Sequence, residues 1–171
     1  MENASFIVEP EAPAVAVGEQ VHLIARTDLE LSGDLEWEVQ EQYGGGLLRS
    51  QGAAVTYVAP EFAGTYHLKL SAARPTGRRL HQTVEIRVLP CPSLDPASVR
   101  VAPGGSVLFV ARMKGLPKET VRWSVEETGG GEFAENGRYT APLKPGTYHV
   151  TAISTFDPKV RVSAEVGVGD H

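Results

Sequence analysis

A duplication constrains this chain more than any other feature: its two halves carry the same residues in the same order. Val15-Ala-Val-Gly-Glu-Gln-Val-His-Leu-Ile-Ala25 answers Val101-Ala-Pro-Gly-Gly-Ser-Val-Leu-Phe-Val-Ala111, and Leu35-Glu-Trp-Glu-Val-Gln-Glu41 answers Val121-Arg-Trp-Ser-Val-Glu-Glu127. A glycine triplet follows each, at Gly44 to Gly46 and at Gly129 to Gly131. Tyr57-Val-Ala-Pro60 then pairs with Tyr139-Thr-Ala-Pro142, and Gly64-Thr-Tyr-His-Leu68 with Gly146-Thr-Tyr-His-Val150. The offset is 86 residues between Trp37 and Trp123 and 82 between Gly64 and Gly146. A unit of that length can close its own core, whereas solenoid repeats of roughly 20 to 45 residues must borrow a neighbour's. The expected domains are therefore 1–89 and 90–171, meeting in Leu89-Pro-Cys-Pro-Ser93. Two prolines there restrict φ and favour an extended, semi-rigid spacer.

Within each half the punctuation is dense. The chain holds 18 Gly and 12 Pro, with Val, Thr, Ile and aromatic residues in short bursts between them. That pattern predicts an all-β fold of many short strands. The one helical expectation is a single turn near Pro117-Lys118-Glu119. Period-two alternation places Val21, Leu23 and Ala25 on one face, Trp37 with Val39, Tyr66 with Leu68 and Leu70, and Val84 with Ile86 and Val88. Their neighbours Glu36, Glu38, His67, Lys69, Glu85 and Arg87 face out, as in a sheet with one dry side.

Two spacings carry a family resemblance. Leu23 precedes Trp37, and Phe109 precedes Trp123, by 14 residues; Leu68 and Val150 stand two residues after Tyr66 and Tyr148. The immunoglobulin fold keeps this frame, with Cys where Leu23, Leu68, Phe109 and Val150 stand and Tyr at its corner. Each half therefore resembles a disulfide-free immunoglobulin-like domain. The string Gly137-Arg-Tyr-Thr-Ala-Pro142, with Pro145-Gly-Thr-Tyr-His-Val-Thr-Ala152, is similar to bacterial immunoglobulin-like repeats. The resemblance implies two tandem immunoglobulin-like Greek-key β-sandwiches, a class used as spacers, adhesin stalks, enzyme accessory modules and virion decorations. Phe62 and Lys144 depart from the Asp often found two residues before the corner glycine.

Chemistry is sparse. A net charge of −5 speaks against nucleic acid or anionic membrane as partner, since both rest on clustered cations. No segment approaches the roughly 18 to 20 apolar residues of a membrane span. Residues 1–8 lack the basic and apolar regions of a signal peptide. The single Cys91 permits no intrachain disulfide and reads as a passive thiol in the linker. No nucleophile elbow, metal-ligand spacing or phosphate loop is present, so no catalytic residue, metal or cofactor is expected and the chain reads as non-enzymatic. The glycine triplets read as flexible turns, and Glu36, Glu38, Glu41, Glu126 and Glu127 as a solvated acidic stripe.

One asymmetry stands out. Ala73-Arg-Pro-Thr-Gly-Arg-Arg-Leu-His-Gln82 reads as a long loop whose counterpart, Thr155-Phe-Asp-Pro-Lys159, is short. Its Arg74, Arg78, Arg79 and His81 form the candidate partner-binding site, since loops at sandwich ends bind and Arg favours interfaces; a solvated hairpin tip is the alternative reading. Leu108 and Val110 add an outward apolar pair where the first half has His22 and Ile24. The function expected is a structural or protein-interaction module of a larger bacterial surface or phage-like particle assembly. The alternative is a carbohydrate-binding adhesin or accessory module engaging a cell-surface glycan through Tyr43, Phe133 or Phe156.

Overall fold

Glycine and proline end each alternating run, and between them the chain forms strands. The computed structural model describes residues 6–169, apart from the side chains of residues 49–51. The chain divides between Leu89 and Pro90 into two units.

The first unit holds β1 (Ile7–Glu9), β2 (Ala14–Ala16), β3 (Gln20–Arg26), β4 (Glu36–Val39), β5 (Gly46–Gln51), β6 (Ala54–Val58), β7 (Gly64–Ala73) and β8 (Arg79–Leu89). One sheet has the order β1-β3-β6-β5 and the other β2-β8-β7-β4. All pairs are antiparallel except β2 with β8. The chain crosses from one sheet to the other at every step from β1 to β5, first at Pro10, and again between β6 and β7. Leu23, Leu68, Leu70 and Ile86 are fully enclosed between the sheets.

The second unit repeats the plan with β9 (Cys91–Asp95), β10 (Ser98–Val101), β11 (Ser106–Leu108), β12 (Val110–Lys114), β13 (Val121–Val125), β14 (Glu132–Phe133), β15 (Arg138–Thr140), β16 (Gly146–Ser154) and β17 (Arg161–Val168). The sheet β10-β17-β16-β13 matches β2-β8-β7-β4, and β10 again runs parallel to β17. The other layer is split at Phe109 into β9-β12 and β11-β15-β14. Phe109 donates its N–H to Gly137 at 2.9 Å. Gly137 is glycine for a steric reason: φ is +89°, and a Cβ would lie 2.5 Å from the Phe109 carbonyl and 2.9 Å from the Trp123 ring. No helical turn forms at Pro117-Lys118-Glu119. Pro117 brings no N–H to a helical bond, and Gly115, at φ +104°, turns the chain instead.

The four positions that hold cysteine in the immunoglobulin frame hold buried apolar side chains: Leu23 and Leu68 in one core, Phe109 and Val150 in the other. Trp37 is buried, while Trp123 is half-buried and stacks on Phe133 with centroids 4.9 Å apart. Packing thus replaces the roughly 2 to 5 kcal/mol that a native bridge contributes in a small domain.

The glycine triplets are not flexible turns. In each half a tyrosine from the middle of the sheet lies beneath one: the Tyr57 hydroxyl donates to the Gly44 carbonyl, and Tyr139 to that of Gly130. Both rings are completely buried. The next residue sits on the phenol, so a Cβ at Gly131 would lie 2.5 Å from the Thr140 carbonyl and 2.8 Å from the Tyr139 hydroxyl, with φ at +108°. Gly129 also has positive φ, at +76°, but faces open space. Gly129→Ala should therefore cost about 1 to 2 kcal/mol, the left-handed backbone penalty alone, whereas Gly131→Ala should cost more than about 3 kcal/mol. Urea unfolding of the full chain, followed by NMR at residues of the second unit, checks the order; equal costs would refute the crowding.

Candidate interaction site

The arginine-bearing segment is a tight hairpin rather than a long loop. Ala73 already pairs with Arg79, so Arg79 and His81 lie on β8, with His81 opposite Ser71. Arg74 donates its N–H to Arg78 at 2.8 Å, and Gly77 donates to Arg74 at 2.9 Å with φ +85°. Pro75 at the second turn position and glycine at the left-handed one are what such a turn requires. The second unit closes between Ser154 and Val160 instead, at 3.0 Å, so its loop is the longer of the two. The expected length difference is thus reversed.

The four candidate residues face different surroundings. Arg78 and His81 are exposed and Arg74 is half-buried. Arg79 pairs with Glu36 on β4, both largely exposed. Such a surface pair contributes at most about 1 kcal/mol. It links β8 to β4 across β7 and leaves Arg78 and His81 as the outward cation and the titratable ring at this end.

The acidic stripe divides. Glu36 and Glu38 are solvated, but Glu41 and Glu127 clamp the neighbouring strand. Glu127 accepts the His149 N–H at 2.8 Å on one oxygen and lies 2.6 Å from the His149 Nδ1 with the other. Glu41 repeats this on His67, at 2.9 and 2.5 Å. Sequence reasoning passed over the clamp, although each half keeps Glu and His at equivalent positions. The hydrogen bond from Glu127 holds the His149 imidazolium above its usual 6.5, against burial, with the charges of Glu127, Glu126 and Glu165 adding to it. In return the His149 ring and N–H keep Glu127 below 4.5. Glu126, Glu127 and His149 bring potential metal-ligand atoms within 4.8 Å of one another. Both Glu127 oxygens already serve His149, and Glu126 accepts from Thr151 at 3.4 Å, so the cluster reads as a strand clamp.

Of the aromatic candidates, Tyr43 and Phe156 are exposed, whereas Phe133 is half-buried and packs against Phe109, Trp123 and Tyr139. Leu108 and Val110 are both 48% exposed, as their outward placement requires. Cys91 is exposed and begins β9, opposite Lys114, rather than lying in a free linker.

No protein-family model and no curated protein sequence matches the chain. Solved structures do match. The insect immune protein hemolin aligns over 97% of this chain and 47% of its own, at 14% identity and a TM-score of 0.51. A C-terminal fragment of intimin, solved with the intimin-binding domain of the translocated intimin receptor, aligns over 95% of this chain and 62% of its own, at 12% identity and a TM-score of 0.48. Immunoglobulin domains 1–5 of Sidekick-1 align over 98% of this chain and 39% of theirs, at 18% identity and a TM-score of 0.36. This chain spans less than two thirds of each, and at such identities the likeness is one of fold. The protein is a tandem of disulfide-free immunoglobulin-like β-sandwiches.

The clamp has a pH signature. The Glu127 contribution to stability is complete above the free carboxylate value of 4.5 and is lost as pH falls through the lower folded value. The His149 contribution is complete below 6.5 and is lost as pH rises through the higher folded value. Both are therefore whole between 4.5 and 6.5. An NMR titration should show Glu127→Gln lowering the His149 pKa toward 6.5; an unmoved value would remove Glu127 as the cause.

Proposed function

We propose that the chain is a non-enzymatic structural or protein-interaction module of a larger assembly on a bacterial surface or phage-like particle, in a decoration, spacer or adhesion role. The observation that supports this most is the first-unit hairpin. A three-residue turn, closed by two main-chain hydrogen bonds, presents exposed Arg78 and His81 at one end of a sandwich, in a chain whose net charge is −5. A tight turn lowers the ordering cost of an interface, and arginine is enriched in interfaces. Hemolin, whose structure was described with implications for homophilic adhesion, offers a precedent for such a role on this fold.

Recovery of the protein from its source should find it in stoichiometric association with a protein particle or surface assembly. The double variant Arg78→Glu, His81→Glu should keep the melting temperature within about 2 °C, since neither side chain is buried, and weaken that association by about tenfold or more. Unchanged association would remove the hairpin from the interface. Recovery as a lone monomer that binds a glycan array would replace the assembly reading with the carbohydrate-binding one.

A further inference from the structure

A groove of about 690 Å³ runs along the first unit where its two sheets part, between β1 and β8. One residue lengthens its open edge. In the second unit β10 begins pairing early, with Ser98 opposite Glu165. In the first, β2 pairs only with Arg87 to Leu89. The two sites are equivalent: Glu165 lies opposite His149 and Glu85 opposite His67. With Glu9-Pro10 aligned on Asp95-Pro96, Pro13 falls where Val99 stands. The Pro13 carbonyl accepts the Arg87 N–H at 3.0 Å, but a proline has no N–H to return to β8. Pairing stops there, so Glu85 is left without β2 and joins Thr83 in one open edge; Ser163, the counterpart of Thr83, likewise lies beyond β10.

Strand alternation sets which way that edge points. The Arg87 N–H goes to Pro13, and the Leu89 carbonyl takes the Val17 N–H, so the odd residues of β8 turn their backbone groups away from β7. Thr83 and Glu85 therefore direct N–H and C=O into the groove. On the opposite wall, the Gln82 carboxamide holds both backbone groups of Phe6: it accepts the N–H at 2.7 Å and donates to the carbonyl at 2.9 Å. That contact already imitates a strand partner. Val8, two residues on, turns its own N–H and C=O the same way. Buried Val8 and Val84 give the groove an apolar lining, and Glu9, Glu11 and Glu85 against Arg87 make its rim acidic. Glu9 also faces Arg26 at 3.9 Å, which leaves Glu11 and Glu85 as the carboxylates open to a ligand, with Arg87 the cation among them.

We infer that this groove binds an extended segment of a partner protein, which adds as a short strand to the Thr83–Glu85 edge with small apolar side chains against Val8 and Val84 and basic ones toward Glu11 and Glu85. Main-chain bonds supply attachment and the alternating side chains supply selection. The inference rests on the reading of the chain as a protein-interaction module and gives that module a second contact, separate from the hairpin.

The test uses the full chain and a labelled peptide alternating lysine and valine, with an alternating glutamate and valine peptide beside it. The basic peptide should bind at least tenfold more tightly and slow amide exchange at Thr83 and Glu85. Pro13→Val restores the missing N–H, lets β2 lengthen as β10 does, and should weaken binding at least tenfold while leaving stability unchanged or higher. Thr83→Pro removes an edge N–H that β7 does not use and should weaken binding comparably. Equal binding of both peptides, exchange protection elsewhere, or full binding by Pro13→Val overturns the groove assignment. So does concentration-dependent dimerisation by sedimentation that Pro13→Val abolishes, because a second copy would then be the occupant. These outcomes leave the association test for the module untouched. Conversely, a lone monomer from the native source would sink the module while the peptide data stood by themselves.

Discussion

Two buried phenol hydroxyls, each given a backbone carbonyl, organise everything around the disulfide-free cores. Tyr57 reaches Gly44 and Tyr139 reaches Gly130, each across the turn that follows Trp37 or Trp123. A buried hydroxyl without a partner costs about 1 to 3 kcal/mol, so the buried ring favours the turn that supplies its acceptor. The turn itself is closed by Gly44 donating to Glu41 at 3.1 Å and Gly130 donating to Glu127 at 3.0 Å. Closing it brings Glu41 and Glu127 to the histidines of the neighbouring strand, where they form the clamp. A second tyrosine in each half fixes the corner, with Tyr66 donating to the Phe62 carbonyl at 2.8 Å and Tyr148 to Lys144 at 2.9 Å. Because the acceptor is a backbone carbonyl, the side chains of Phe62 and Lys144 are immaterial to it, and the missing aspartate carries no consequence for the corner.

Much of this was legible in the residues. The spacing from Leu23 to Trp37 and from Phe109 to Trp123 located the core because buried apolar side chains must recur at fixed strand distances whether or not a bridge joins them. Alternation placed Val84, Ile86 and Val88 inward, and all three are buried. What escaped were interactions whose partner is the backbone. Tyr57 and Tyr139 were visible as repeats, but nothing in a sequence marks a glycine carbonyl as the acceptor. The triplets therefore read as flexible although Gly45 and Gly131 are packed against the tyrosine rings beneath them. The length of the hairpin loop escaped for a different reason: its arginines interrupt the hydrophobic alternation, which hides how far β7 and β8 run before the turn that Pro75 and Gly77 announce.

The departures from the repeat are where binding would arise. Two equal halves need no difference to fold, yet Pro13 stands against Val99, a short arginine hairpin against a longer loop, and Gln40 against Glu126. The first two differences leave main-chain groups or cations of the first unit facing outward, and neither adds to its core. The second unit places Phe109, where the first has Leu23, in a ring cluster with Trp123, Phe133 and Tyr139, and turns Leu108 and Val110 outward where the first has His22 and Ile24.

The locking of a tyrosine beneath the glycine turn of each sandwich can be read directly from the protonation of the phenols. Burial pushes Tyr57 and Tyr139 above the ordinary phenol value of 10, with nearby Tyr66 and Glu41 adding to the rise at Tyr57 and Tyr148 and Glu127 at Tyr139. A ¹³C NMR titration of the tyrosine ring carbons in the intact chain should show both remaining protonated beyond pH 10 for as long as the fold persists. Ionisation of either ring at the ordinary value in a still-folded chain would contradict the account.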